Sequence, residues 1–297
     1  MKRIAWVCVL VLAVSSVASA DSKAWTAAKK ALPSGMQVVM SLNVSALHGT
    51  QLFQTLWPMI TDKDKDISDA FGAMKAACAF DPAQHVDSLV IAGADDNDDS
   101  AVFVLALKMA QGDLEKCFAK ALKAHGQDVV IGKDGAFAKY TVGDTPTYAR
   151  WLDKNTMVVA KRKGDKDFLA KMTAGGIAKD AALISAKTDA ALWVVINKAS
   201  DIDQLGVKMQ RAYLAADVKA GAVNANAHIV VDSAEQATSS AKKAQLMLDG
   251  AKATGQFPPA LDWLAKSLAI NAVGSELVLT AAGTEQNVVD LIKAAAQ

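Results

Sequence analysis

The hydrophobic and polar positions of the chain switch repeatedly between the period of a helix and the period of a strand. Residues 66–80 and 113–125 carry apolar side chains at intervals of three and four, which is typical of a helix packed on one face. Residues 37–44 instead hold an almost continuous apolar run, which is typical of a mostly buried strand. These patterns predict a mixture of helices and strands.

Short strand-like segments follow one another between residues 128 and 161, and turn residues separate them. Lys133-Asp134-Gly135 and Asp153-Lys154-Asn155 supply the Gly, Asp and Asn residues that tight hairpin turns prefer. Further along the chain, residues 211–218 and 222–231 predict another hairpin. The predicted fold class is therefore α+β, with antiparallel sheet and packed helices.

Two helix boundaries follow from single residues. Ser233 and Gln236 have the spacing of a capping box, so a long helix is expected to begin there and to continue to about residue 252. Pro58 is expected to end the helix predicted over residues 50–57, because proline has no N–H for the helical hydrogen bond.

A weak internal repeat indicates two similar halves. Asp113 and Ser233 each open a predicted helix directly after a predicted strand, at an offset of 120 residues. Residues 158–172 align without gaps on residues 277–291, at an offset of 119. Two nearly equal offsets indicate that one strand and helix unit is used twice. We therefore expect an N-terminal half over residues 21–175 and a C-terminal half over residues 176–297.

The first twenty residues have the pattern of a signal peptide. Lys2 and Arg3 are basic, residues 4–14 are apolar, and Ala18-Ser19-Ala20 has the small residues that signal peptidase accepts. A permanent transmembrane helix would need about 20 apolar residues. Cleavage near Ala20 is expected, which predicts a periplasmic or secreted protein without a transmembrane span.

The charge balance excludes one class of partner. The chain has 32 Lys and Arg residues against 31 Asp and Glu residues, so its formal net charge is +1. Nucleic-acid-binding proteins carry a clear basic excess, so this chain is not expected to bind nucleic acid. Only Arg150, Arg162 and Arg211 remain after residue 20, so the guanidinium groups that usually recognise phosphate are scarce. Binding of a polyanion is not expected.

Cys78 and Cys117 are the two cysteines that follow the predicted signal peptide. Exported proteins reach a compartment that oxidises thiols, so a disulfide between the two cysteines is expected. The alternative is two buried free thiols, because both residues lie on apolar helix stripes. Thiol redox catalysis is not expected, since the chain lacks a Cys-x-x-Cys motif.

No metal or cofactor site is predicted. Residues 62–66 and 95–99 begin like calcium loops but lack the later glycine and glutamate. His85 and His125 follow the two cysteines at spacings that zinc knuckles do not use. The basic loop at residues 161–164 could hold an anion at the start of the next helix, or it could simply be solvated.

No catalytic residue is predicted either. The chain lacks the Gly-x-Ser-x-Gly, Walker, dinucleotide-binding and His-Glu-x-x-His motifs. A hydrolase whose active site is assembled from distant residues remains an alternative, because catalytic triads form in space rather than in sequence.

Part of the chain resembles a group of exported bacterial proteins of unknown function. The similarity covers roughly the first 120 residues and has the order of a Leu-Pro pair, a buried strand and a Leu-Phe helix. It implies export and assigns no site. The residues that carry it are Leu32-Pro33, Gln37-Val38-Val39, Leu42-Asn43-Val44, Ala46-Leu47, Leu52-Phe53, Leu56, Cys78, Phe80-Asp81-Pro82 and Val86-Asp87-Ser88-Leu89-Val90.

These observations predict an exported, non-enzymatic binding or envelope-associated protein. The expected partner is an apolar ligand in a groove, or an envelope protein at a sheet face or edge. A purely structural envelope protein is a further alternative, and the oligomeric state stays open. Five tryptophans could line such a surface or pack in the core: Trp25, Trp57, Trp151, Trp193 and Trp263.

Overall fold

The structure is a computed structural model and describes residues 21–61, 65–94, 100–160, 165–180, 183, 190–255 and 259–295. The predicted signal peptide lies outside these residues. Helices and antiparallel strands make this an α+β protein, as the sequence predicted.

The chain forms two compact units. We call Asp21–His48 with Phe53–Ile184 the N-terminal unit, and Ser185–Gln297 with Gly49–Leu52 the C-terminal unit. Each unit is described by itself below.

The described strands of the N-terminal unit pair antiparallel in the order β1-β2-β3-β7-β6-β5-β4. The strands from β4 to β7 form the meander that the turn residues predicted. Their bounds are β1 (Val38–Leu42), β2 (Val86–Gly93), β3 (Ala101–Leu107), β4 (Val129–Asp134), β5 (Phe137–Val142), β6 (Thr145–Asp153) and β7 (Thr156–Ala160).

The helices before residue 185 precede, separate or follow these strands. The first of them is set by a cap, because Ser22 Oγ accepts a hydrogen bond of 3.2 Å from the Trp25 N–H. The bounds are α1 (Lys23–Ala31), α2 (Val44–Leu47), α3 (Gln51–Thr61), α4 (Lys65–Cys78), α5 (Pro82–His85), α6 (Gln111–Ala124), α7 (Lys166–Lys171) and a 3-10 turn (Ile177–Lys179).

Helix α3 corrects one prediction. It was expected to end at Pro58, but it continues through this residue to Thr61. Proline removes one helical hydrogen bond, the one its N–H would make to the carbonyl four residues earlier, and the helix continues without it.

The described strands of the C-terminal unit pair antiparallel in the order β12-β13-β11-β10-β8, and β9 pairs with the beginning of β10. The bounds are β8 (Leu192–Ile196), β9 (Ser200–Ile202), β10 (Val207–Lys219), β11 (Ala222–Val231), β12 (Ala269–Val273), β13 (Glu276–Thr284), α8 (Ala234–Ala253), a 3-10 turn (Pro259–Leu261), α9 (Asp262–Ser267) and α10 (Glu285–Ala295).

Two predicted features of this unit are confirmed. Strands β10 and β11 form the expected hairpin, with Ala220 and Gly221 at positive φ in its turn. Helix α8 has the expected cap, since Ser233 Oγ accepts from the Gln236 N–H at 3.2 Å. The apolar face of α8 packs on the sheet through Ala237 and Ala241.

The order of strands and helices on which the predicted internal repeat rests is present in both units. In the N-terminal unit the strand order begins β1-β2-β3-β7-β6, with α6 after β3 and α7 after β7. In the C-terminal unit it is β8-β10-β11-β13-β12, with α8 after β11 and α10 after β13. In their described strands, the two units differ by the hairpin β4-β5 and the short strand β9.

Among the described residues, no helix combines the length and the apolar character that crossing a membrane requires.

Candidate functional site

A cleft of about 950 Å³ opens in the N-terminal unit between α1 and the β6-β7 turn. Its first wall is one face of α1. Lys23, Ala27 and Lys30 lie at intervals of four and three on this face, so they line the same side of the helix. The opposite face packs into the core through Ala24, Trp25 and Ala28.

The second wall comes from β6. Arg150 and Leu152 are two residues apart on this strand, so both side chains point to the same face of the sheet. Arg150 Nη1 donates to the carbonyl oxygen of Thr173 at 2.7 Å and to Thr173 Oγ1 at 2.8 Å. The buried Thr173 hydroxyl in turn donates to the Leu169 carbonyl oxygen at 2.7 Å. The guanidinium is therefore held in place by a buried partner.

The β6-β7 turn closes one end of the cleft and carries Lys154. The turn is fixed internally, because Asp153 Oδ1 accepts from the Asn155 N–H at 2.7 Å. It is also tied to the segment after β3: the Gln111 N–H donates to the Lys154 carbonyl oxygen at 2.7 Å, and Asn155 Nδ2 donates to the Met109 carbonyl oxygen at 3.0 Å. These bonds fix the position of the Lys154 backbone at this end of the cleft.

A second lobe of about 640 Å³ continues from this end. It shares Lys108, Lys154 and Asn155 with the cleft, and His85 and Asp113 also line it. His85 stacks on Phe80, with ring centroids 5.2 Å apart.

The cleft concentrates positive charge. Its lining holds five cationic side chains and one carboxylate, whereas the whole chain is nearly neutral. Lys23 pairs with Asp87 at 3.2 Å, while Lys30, Lys108 and Lys154 form no ion pair within the described part of the chain. Like charges gathered around a concave surface raise the local concentration of anions. The cleft can therefore attract a negatively charged ligand. The five cations are Lys23, Lys30, Lys108, Arg150 and Lys154.

No residue of this cleft was predicted as a site residue. The one sequence signal that could have found it is the seven-residue spacing of Lys23 and Lys30 on the predicted first helix. The basic loop considered for anion binding, residues 161–164, lies outside the described residues. So do residues 62–64 of the acidic run 62–66, and all of the run 95–99.

The structure brings the predicted pair Cys78 and Cys117 together. Their sulfur atoms lie at disulfide distance, and the two Cα atoms are 5.5 Å apart, which is within the range that a disulfide requires. The pair links the end of α4 to the middle of α6.

Among the described histidines, His228 contacts two side chains. His228 Nδ1 lies 2.8 Å from Glu276 Oε2, and its ring faces Tyr213. Within the described residues, no histidine is hydrogen-bonded to a serine, threonine or cysteine side chain. The same residues contain no group of three or more His, Cys, Asp or Glu side chains that could hold a metal ion.

A partly buried polar network that the sequence did not predict fastens β5 and β6 to α6. Tyr140 donates to Glu115 Oε1 at 2.9 Å and accepts from Trp151 Nε1 at 3.0 Å. Burial raises the pKa of Tyr140 to about 12, so this phenol keeps its proton and its bond to Glu115 at alkaline pH values where an exposed tyrosine would ionise.

The five tryptophans have separate structural surroundings. Trp25 and Trp193 are buried, at 2% and 0% exposure, and Trp57 stacks on Phe53. Trp263 lies against Gly283. None of the five lines the described cleft.

No protein family matches the chain, and no characterised protein matches it in sequence. Two solved structures are similar in fold. Crystal form I of TP0453 has a TM-score of 0.48 at 8% identity and covers 89% of this chain and 95% of its own. Crystal form III of TP0453 has a TM-score of 0.49 at 9% identity and covers 94% and 100%. No functional conclusion follows at this level of similarity.

Proposed function

We propose that the protein is an exported, non-enzymatic binding protein whose N-terminal unit holds a negatively charged ligand in the cleft beside α1. The observation that supports this proposal is the cleft lining of five cationic side chains and one carboxylate in a nearly neutral chain. A volume of about 950 Å³ suits a small molecule rather than a polymer.

The lining favours an anion over the apolar ligand that the sequence predicted. A purely apolar ligand would desolvate Lys30, Lys108 and Lys154 without giving their charges a partner, and that is costly. An anionic ligand supplies the missing partner. The guanidinium of Arg150 adds a group that is already oriented by Thr173.

Binding without catalysis is favoured by the groups around the cleft. Lysines, an arginine, threonines and an asparagine can hold an anion by charge and hydrogen bonds. His85, in the second lobe, has its Nδ1 directed at the backbone of Asp81. Export is supported by the pattern of residues 1–20 and by the pairing of Cys78 with Cys117.

The first test is a native mass spectrum of the mature protein, purified from its native envelope at low ionic strength. We expect a retained adduct that is acidic and that 0.5 M salt removes, because salt screens the attraction between exposed charges. An adduct that is uncharged and resists salt would contradict the proposal.

Variants locate the bound adduct. The double variant Lys30→Gln with Arg150→Gln should lose it, since both cations line the cleft. The matched control is Lys120→Gln with Lys133→Gln, which also removes two positive charges, from exposed positions on α6 and β4 outside the cleft lining. Equal loss in the double variant and the control would show that the cleft is not the binding site.

A further inference from the structure

The cations of the cleft fall into two sets that lie at opposite ends of α1. Lys23 and Lys30 are seven residues apart on the same helix face. At 1.5 Å per residue, their Cα atoms are separated by about 10 Å along the helix axis. The cations therefore extend along about 10 Å of the cleft rather than meeting at one point.

The first set lies at the C-terminal end of α1. The Ala31 carbonyl oxygen accepts from the Gly175 N–H at 2.7 Å, which holds the segment after α7 against this end of the helix. Thr173 belongs to that segment and binds Arg150. Lys30 and Arg150 are thereby brought to the same end of the cleft.

The second set lies at the N-terminal end of α1. Lys23 bonds Asp87, the second residue of β2. Directly before β2, the His85 carbonyl oxygen accepts from the Lys108 N–H at 2.8 Å. Lys108 is thus placed near Lys23.

Lys154 joins this second set. Its carbonyl oxygen accepts from the Gln111 N–H, only three residues after Lys108, and both lysines line the second lobe. Lys23, Lys108 and Lys154 therefore form the set that lies nearest the second lobe.

Uncharged side chains separate the two sets. Ala27 lies midway between Lys23 and Lys30 on the cleft face of α1. Leu152 lies midway between Arg150 and Lys154 on the opposite wall. Along its length the cleft is therefore cationic, uncharged and cationic again, with its one carboxylate, Asp153, next to Lys154.

Building on the proposed function, we propose that the ligand is an elongated small molecule with an anionic group at each end and an uncharged body between them. The body should hold the two anionic groups about 10 Å apart, to match the separation of the two sets. A carboxylate or a phosphate at each end would satisfy the same lysines.

The test is titration calorimetry of the mature protein with linear α,ω-dicarboxylates of increasing length: succinate, suberate and dodecanedioate. We expect suberate or dodecanedioate to bind about tenfold or more tightly than succinate, because only a long diacid engages both sets at once. Octanoate, which has one charge, should bind more weakly than suberate. The matching α,ω-bisphosphonates distinguish phosphate from carboxylate as the preferred end group.

Variants at each end test the two-set arrangement. Lys30→Gln and Lys154→Gln should each reduce the preference for the longer diacid over succinate to about threefold or less, since either change removes one cation from the set that holds that end of the ligand. Lys133→Gln should leave the preference unchanged. Both cleft lysines are exposed, so both variants are expected to fold. Circular dichroism checks this before each titration.

The outcomes separate this inference from the proposed function. If succinate and the longer diacids bind the wild type equally well, and Lys30→Gln weakens them all alike, the cleft binds anions but the two-ended ligand is wrong. If neither diacids nor bisphosphonates bind the wild type at low salt, the proposed function is wrong as well.

Discussion

Arg150 directs one guanidinium nitrogen at two oxygens of a single residue, the carbonyl oxygen and the hydroxyl of Thr173. The hydroxyl is free to accept this bond because its own proton is donated to Leu169. Thr173 is 3% exposed, so the partner that holds the guanidinium is shielded from water. The cleft therefore presents a guanidinium whose orientation is fixed before any ligand arrives, which lowers the entropy lost on binding.

Replacing the hydroxyl should release the guanidinium. In Thr173→Val, Arg150 keeps its bond to the carbonyl oxygen but loses the bond to the hydroxyl, and we expect suberate to bind about threefold to tenfold more weakly. Titration calorimetry measures this change. Thr173→Ser keeps the hydroxyl and should bind suberate like the wild type. Equal losses in both variants would show that the hydroxyl does not orient Arg150.

The disulfide pair should stabilise the folded protein against unfolding. The bond would close a loop with a sequence separation of 39, and the chain-entropy model gives at most about 4 kcal/mol for such a loop. Cys78→Ala with Cys117→Ala should therefore lower the free energy of unfolding, as measured in denaturant. A thiol assay on the denatured wild type without reductant should find no free thiol, and two thiols per chain would refute the bond.

Alkaline pH should weaken the N-terminal unit through Tyr140. Its pKa is about 12 in the folded protein, above the value of 10.0 for a free side chain. The unfolded chain therefore loses this proton first, and stability that is fully present below pH 10 falls as the pH rises towards 12.

Tyr140→Phe tests this dependence. The variant should lose about 1 kcal/mol of stability at neutral pH, because the hydrogen bonds to Glu115 and Trp151 disappear. It should also lose less stability than the wild type between pH 10 and 12. Denaturant unfolding at several pH values measures both effects, and the same alkaline loss in variant and wild type would refute the role of Tyr140.

Gly283 should not tolerate a side chain. A Cβ atom at this position would lie 2.5 Å from the Trp263 ring, which is closer than real side chains approach each other. Gly283→Ala should therefore lower the free energy of unfolding by about 1–3 kcal/mol. Adding Trp263→Leu should recover part of the loss by making room. If the double variant is as unstable as the sum of both single changes, the contact is not the cause.

The sequence predicted those parts of the fold that depend on neighbouring residues. The β10-β11 hairpin and the Ser233 cap both follow from local turn and capping chemistry, and both are present. The continuation of α3 past Pro58 was missed, because the loss of a single hydrogen bond does not end a helix.

The cleft could not be predicted in the same way. Lys30 and Arg150 are 120 residues apart in sequence and come to one end of the cleft only because the segment after α7 is hydrogen-bonded to Ala31. Overall charge gave no hint, since a balanced chain can still gather its cations on one surface.

Asp87 already serves as the counter-ion of Lys23 in the cleft. Asp87 is mostly buried, with 15% of its side chain exposed, and it also accepts hydrogen bonds from Ser45 and Ser88. An incoming anion that reaches Lys23 must compete with this fixed carboxylate. When the anion leaves, the ion pair between Lys23 and Asp87 can form again. Within the described part of the chain, Lys108 and Lys154 have no such ion pair to break, so an anion at this end of the cleft is expected to engage them first.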